Sequence, residues 1–268
     1  MNAAVLFHLG LAAYLVAAVG YLGWLFRPSP PPARVGLIAM WIGFGFHVLA
    51  MAFRVVALVG DPAARFTFTT GLSALALLVV AAFLLGGKRF RLPVIGAFVA
   101  PLVIVLLGPA HLVPALQGRM QLEGPVLLVH IGIALAGVAA FALGSGVAVM
   151  YLLLERQLKA KKLGALFRRL PSLQFLDRLN QQLVVWGFTL LSLTIVTGAF
   201  FSHFEAGQGL IELGPKQSFS FLAWFLVAVV LLLRQTTGWR GRRVALATMA
   251  SFALMVFAYV GIFAGAAV

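Results

Sequence analysis

Eight long apolar runs, each closed by a short polar break, divide the chain at about residues 3–26, 35–58, 68–86, 92–110, 125–154, 180–202, 219–234 and 244–266. An α-helix needs roughly 20 apolar residues to cross the hydrocarbon core of a bilayer. The pattern therefore predicts an all-α, polytopic integral membrane protein of about eight transmembrane helices, organised as one transmembrane domain over residues 1–268. The first break, Arg27-Pro-Ser-Pro-Pro-Pro-Ala-Arg34, is a proline run that cannot continue a helix. Gly60-Asp-Pro62 and Gly86-Gly-Lys-Arg-Phe-Arg91 form the next two breaks. The fifth run is longer than the bilayer is thick and is expected to tilt or to project into water as helix. The first span carries no convincing cleavage pattern and is read as retained.

Composition agrees with this pattern and narrows it. Apolar residues make up 63% of the 268, charged residues 10%, and the mean hydropathy is +1.07. Soluble domains sit near 45–50% apolar and about 25% charged, so no room is left for a soluble catalytic domain. The chain has no cysteine, which removes disulfide exchange, thiolate-bound zinc, iron–sulfur clusters and thioether attachment of a cofactor.

A net charge of +14 suits orientation in a membrane better than nucleic-acid binding. Of the 20 basic residues, 16 fall in the breaks after runs 1, 3, 5 and 7, seven of them between Arg156 and Arg178. Basic loops stay cytoplasmic, so both termini are expected on the extracytoplasmic side. The seven-base loop meets anionic lipid by default, with protein docking as a lesser reading.

All five histidines lie on, or lean toward, the outer half of that topology. His8 and His111 read as interfacial imidazoles at helix ends. His47 is deeper, about 16 Å below the outer end of its run at 1.5 Å per residue. Arg54 lies seven residues further along, on the same helical face. Ionisable groups are costly in a bilayer, so this face is expected to turn inward. It then serves either function or an interhelical hydrogen bond. His130 opens the fifth run beside a stripe of small residues (Gly132, Ala136, Ala140, Gly144 and Ala148), which reads first as a close helix contact. The imidazole lies beside the stripe and is not explained by it. His203 closes the sixth run, and the segment 203–218 suits either a surface helix or an ordinary connector. No Walker A loop, H-E-x-x-H, G-x-S-x-G or buried carboxylate pair is present, so the chain is not expected to be an enzyme of hydrolysis or phosphoryl transfer.

Three segments together resemble the cytochrome c assembly family, the haem-handling membrane proteins of the CcsA, CcmC and HemX type. They are Val129-His130-Ile-Gly with Tyr151-Leu-Leu-Leu-Glu155; Leu176-Asp-Arg-Leu-Asn180 leading into Gly187–Gly198; and Gly238-Trp-Arg-Gly-Arg-Arg243 before the last run. The resemblance is strongest over 125–262. His47 with Arg54 extends it to the short, eight-helix members of the YpjD or HemX type. The chain departs from the haem-lyase pattern in its outer loop. Leu213-Gly-Pro-Lys-Gln217 stands where the family's tryptophan-rich W-W-D segment ends, and the histidines expected before Gly238 and after the last span are absent.

The resemblance implies non-covalent, b-type haem bound at the outer face of a bacterial inner membrane, in association with cytochrome c assembly. His130 would be one iron ligand and His203 or His47 the other, because a neutral imidazole ligates haem iron. Arg54 is a candidate for a propionate or a structural partner. Expected partners are the bilayer and haem-delivery or cytochrome c maturation proteins, and not nucleic acid. Two alternatives stay open: a transporter of a small solute or divalent metal, and a membrane regulator of a tetrapyrrole-synthesis enzyme.

Overall fold

The computed structural model describes residues 3–26, 30–60, 66–90, 93–108, 119–120, 124–161, 169–204 and 215–265. Within them lie α1 (Ala3–Phe26), α2 (Pro30–Gly60), α3 (Phe68–Phe90), α4 (Pro93–Leu107), α5 (Gly124–Lys159), α6 (Leu173–Phe204), α7 (Pro215–Thr236) and α8 (Arg242–Gly265), with two-residue strands at Phe66–Thr67 and Arg119–Met120. Seven of these helices are long and apolar enough to cross a membrane, as the apolar runs require. The eighth, α4, has 15 residues and contains Pro101. At 1.5 Å per residue it is about 22 Å long, short of the hydrocarbon core. The protein is all-α and multi-pass.

Two helix starts differ from the pattern-based expectation. The proline run is not wholly a break, because α2 begins at Pro30 inside it. The N–H groups of a first turn have no helical partner, so prolines there lose nothing. Helix α6 begins at Leu173, seven residues before its apolar run, with the Ser172 hydroxyl accepting the Phe175 N–H at 3.3 Å as an N-cap. Its first two turns are amphipathic and carry Asp177, Arg178 and Asn180.

The helices group into two compact units, one of residues 1–117 with 157–170, the other of 118–156 with 171–268. In the first unit α1 packs along α2 through small residues. A Cβ on Gly20 would stand 2.9 Å from the Gly36 nitrogen. Two buried tyrosines of α1 fill the glycine gaps. Tyr14 lies over Gly43, while Tyr21 lies between Gly36 and Gly96 with its ring edge-on to Phe83. Arg169 caps the end of α1, donating to the Trp24 carbonyl while its guanidinium lies 4.3 Å from the Trp24 ring centroid.

In the second unit Phe141 of α5 occupies the space over Gly187 of α6, inside a core with Val184, Leu191, Ala223, Val227 and Met255. Trp224 of α7 stacks on Phe188 and donates its indole N–H to Ser192 at 2.9 Å. Aromatic residues filling glycine gaps let helix backbones approach closely without a void.

Candidate functional site

His47 of α2 is buried, at 1% exposure. One ring nitrogen is 2.8 Å from the Ser73 hydroxyl of α3, and the other is 3.3 Å from the Tyr14 hydroxyl of α1. Phe7 sits edge-on to the ring. Arg54, two turns further along α2, donates to Thr70 Oγ1 at 3.0 Å. Thr70 in turn is 2.8 Å from Thr67 Oγ1, which also accepts the Thr70 N–H and so caps α3. His47 and Arg54 thus share a face, and that face meets α3 through Ser73 and Thr70, one turn apart. The imidazole is the centre of a three-helix hydrogen-bonded tie, a form in which polar groups persist in lipid.

His130 lies in the first turns of α5, half-buried against α6. Its Nδ1 is 3.0 Å from Thr197 Oγ1. A Cβ added at Gly198 would stand 2.9 Å from the imidazole Cε1, so the ring lies where a side chain at 198 would be. Contacts at Gly198–His130, Gly187–Phe141 and Gly137–Leu190 show α5 and α6 running antiparallel. On that register the backbone of His203 is near the level of Pro125, about 7.5 Å along the axis from His130. The His203 side chain and all of His111 lie outside the described residues. His8 bonds the Ala4 carbonyl of its own helix, as an imidazole near a helix end can. Among the described residues, no group of three His, Cys, Asp or Glu side chains forms a metal cage.

The small-residue stripe of α5 does pack in part. A Cβ on Gly144 would meet Thr248 of α8 and Asn180 of α6, whereas Gly132 has no such neighbour within 4 Å. Sequence reasoning missed the centre of the second unit's basic end. Asp177 of α6 takes both guanidinium nitrogens of Arg234 at 2.7 and 3.2 Å, and the Gly241 N–H at 2.9 Å. Gly238 and Gly241 have φ of +72° and +67°, the left-handed region that favours glycine. At Gly241 a Cβ would also collide with the Tyr151 hydroxyl of α5. The Leu176–Asn180, Gly238–Arg243 and Tyr151–Glu155 segments therefore meet at one carboxylate and its turn. The lone Asp within a basic stretch was the available signal.

Residues 5–264 match the family described as cytochrome C assembly protein. The chain is similar to the inner membrane protein YpjD of Escherichia coli (strain K12), 28% identical over 258 residues that cover 94% of each chain. It is also similar to the cytochrome c biogenesis protein CcsA of Prochlorococcus marinus, 26% identical over 206 residues, covering 65% of this chain and 63% of that one. A solved structure, the cytochrome c heme lyase CcmF, superposes with a TM-score of 0.71 at 17% identity. All of this chain is covered, and 50% of that one, so the two share a fold and this chain spans half the length of that neighbour.

Proposed function

Because the chain belongs to the cytochrome c assembly family, we propose that it binds and passes on haem in a bacterial inner membrane during cytochrome c maturation, with His130 as an iron ligand. The observation that carries this reading is the seating of His130. A half-buried imidazole in the first turns of a transmembrane helix is held edge-on against a neighbouring helix, at a position where only glycine leaves it room. Such a ring is pre-positioned, and a neutral imidazole is a suitable donor to haem iron. The residues present fit the group. When bound, haem would supply an iron that accepts imidazole nitrogen, and His130 would be a residue that holds it.

A chain without cysteine cannot form thioether links, which supports a reading of non-covalent, b-type haem. The second ligand is assigned to His203, which the antiparallel register brings to the same end of α5 and α6 as His130. His47 is the alternative, but ligation would require it to give up its bond to Ser73 or to Tyr14. Arg54 is exposed, unlike the buried His47, but its donated bond to Thr70 would have to be displaced by a propionate. The role is binding and hand-over to cytochrome c maturation partners.

Protein purified from cells supplied with ample haem tests this. A Soret band is expected in the wild type, lost or changed in spin state in His130→Ala and unchanged in His111→Ala. His203→Ala should alter the spectrum and His47→Ala should leave the ligation signature in place; the reverse would assign the second ligand to His47. A wild type with no Soret absorption, or one that His130→Ala leaves unchanged, overturns the reading.

A further inference from the structure

We infer that the turn between α7 and α8 is a binding surface for the phosphate of an anionic phospholipid headgroup, through Arg240, Arg242 and Arg243 beside Trp239. The inference is independent of the haem reading. It starts from where the turn lies. The membrane-crossing stretches of α7 and α8 are Gln217–Thr236 and Arg242–Tyr259, so residues 237–241 stand at a membrane boundary. The charge bias of the loops makes that boundary cytoplasmic, on the leaflet whose surface carries a negative potential.

The turn is fixed at both ends. With Gly238 in the left-handed region, the Trp239 N–H returns to the Leu233 carbonyl at 3.4 Å. Gly241, also left-handed, gives its N–H to Asp177, while its carbonyl accepts the Ala245 N–H at 3.0 Å. The Arg243 guanidinium carbon lies 5.0 Å from the Trp239 ring centroid, so one cation is held over an indole. Indoles settle at the headgroup level of a bilayer. Arg240, Arg242 and Arg243 are all exposed. The carboxylate that touches this turn, Asp177, is taken up by Arg234 and the Gly241 N–H. Among the described residues, none of the three arginines donates to a carboxylate. Arg242 and Arg243 stand in the first turn of α8, which contains no acid. Cations there oppose the helix dipole, so their placement gains nothing for the helix itself. Three guanidinium groups on a fixed turn at headgroup level match a phosphate, which a planar fork holds through paired hydrogen bonds. The competing account is that these arginines only orient the chain, in which case equal charge elsewhere at this face would attract lipid as well.

Native mass spectrometry of the purified full chain, offered equal amounts of phosphatidylglycerol and phosphatidylcholine, separates these accounts. The wild type should retain phosphatidylglycerol in preference. Arg242→Gln/Arg243→Gln should lower that preference at least about 5-fold, the worth of one base near an anionic surface. Lys159→Gln/Lys161→Gln removes equal charge from the basic loop and should leave the preference near the wild-type value. If the arginine double variant does not assemble, Arg243→Gln alone, at an exposed side chain, carries the same comparison. Inorganic phosphate in excess should not release the lipid. A wild type without preference for phosphatidylglycerol, or equal losses in the arginine and lysine variants, overturns the inference. Release by inorganic phosphate also overturns it, because the ligand would then be a free anion.

Discussion

Arg234 closes its guanidinium fork on the Asp177 carboxylate, with Nη2 to Oδ2 at 2.7 Å and Nη1 to Oδ1 at 3.2 Å. The two side chains are only 9% and 15% exposed, and the Gly241 N–H supplies a third donor at 2.9 Å. One carboxylate on α6 therefore gathers the end of α7 and the turn into α8. The pair is part-buried, so removing one partner loses charge-assisted hydrogen bonds and should cost about 1.5–3 kcal/mol. Asp177→Asn should therefore melt well below wild type in detergent. Arg234→Lys should not substitute, since an ammonium cannot make the planar two-pronged contact. An Asp177→Asn protein that melts with the wild type would show that the pair contributes nothing.

The pairing of Asp177 with Gly241 also marks the limit of what the chain's pattern discloses. Spans were legible because a membrane demands long uninterrupted apolar runs, and no tertiary information is needed to see them. Helix ends were less so. Pro30 reads as a break until one notes that a first turn needs no N–H donors, and the polar start of α6 at Leu173 is hidden by its low hydropathy. The shared face of His47 and Arg54 followed from their spacing of seven, but Ser73 and Thr70 did not, because short hydroxyl residues at a helix start look like ordinary caps. Asp177 and Gly241 are 64 positions apart. Nothing local to either reveals the other, and the positive φ at Gly241 is a consequence of the turn they build.

The first unit's polar tie yields a second prediction. Ser73→Ala would remove the 2.8 Å partner of a fully buried imidazole. Leaving such a group unsatisfied costs about 1–3 kcal/mol. Arg54→Leu, which strips Thr70 of a charged donor, should cost about 1.5 kcal/mol. Thermal unfolding in one detergent should rank both below Arg65→Leu, whose side chain belongs to a polar break. Equal melting of Arg54→Leu and Arg65→Leu would mean that Arg54 only snorkels to the interface.

Orientation can be checked at the two ends of α7. Positions 218 and 235 are 17 residues apart, about 26 Å along the helix, and the chain has no native cysteine to interfere. The charge bias of the loops places 218 outside and 235 in the cytoplasm. An impermeant thiol reagent applied to intact cells should label Ser218→Cys and spare Gln235→Cys until the membrane is opened. Labelling of 235 alone would invert the topology.

Asn180 and Thr248 form the second rung below the Asp177 turn, and their hydrogen bond has a direction. Thr248 gives its hydroxyl proton to the Val244 carbonyl at 2.9 Å, so its oxygen must accept the Asn180 amide N–H at 3.2 Å. Both side chains are buried, and the Asn180 Oδ1 has no hydrogen-bond partner among the described residues. Gly144 closes the space, since a Cβ there would stand 3.1 Å from the Thr248 methyl. This arrangement predicts an asymmetric response. Thr248→Val leaves the whole Asn180 amide unpaired in an apolar crossing and should cost about 1–3 kcal/mol. Asn180→Leu removes the unpaired oxygen together with the donor and leaves Thr248 bonded to Val244, so it should cost less. Adding Thr248→Val to Asn180→Leu should then change little, because replacing both partners with apolar groups of similar shape can be nearly neutral. Melting temperatures of the wild type, the two single variants and the double variant form the cycle that measures this. Costs that simply add would show that Asn180 and Thr248 are not coupled.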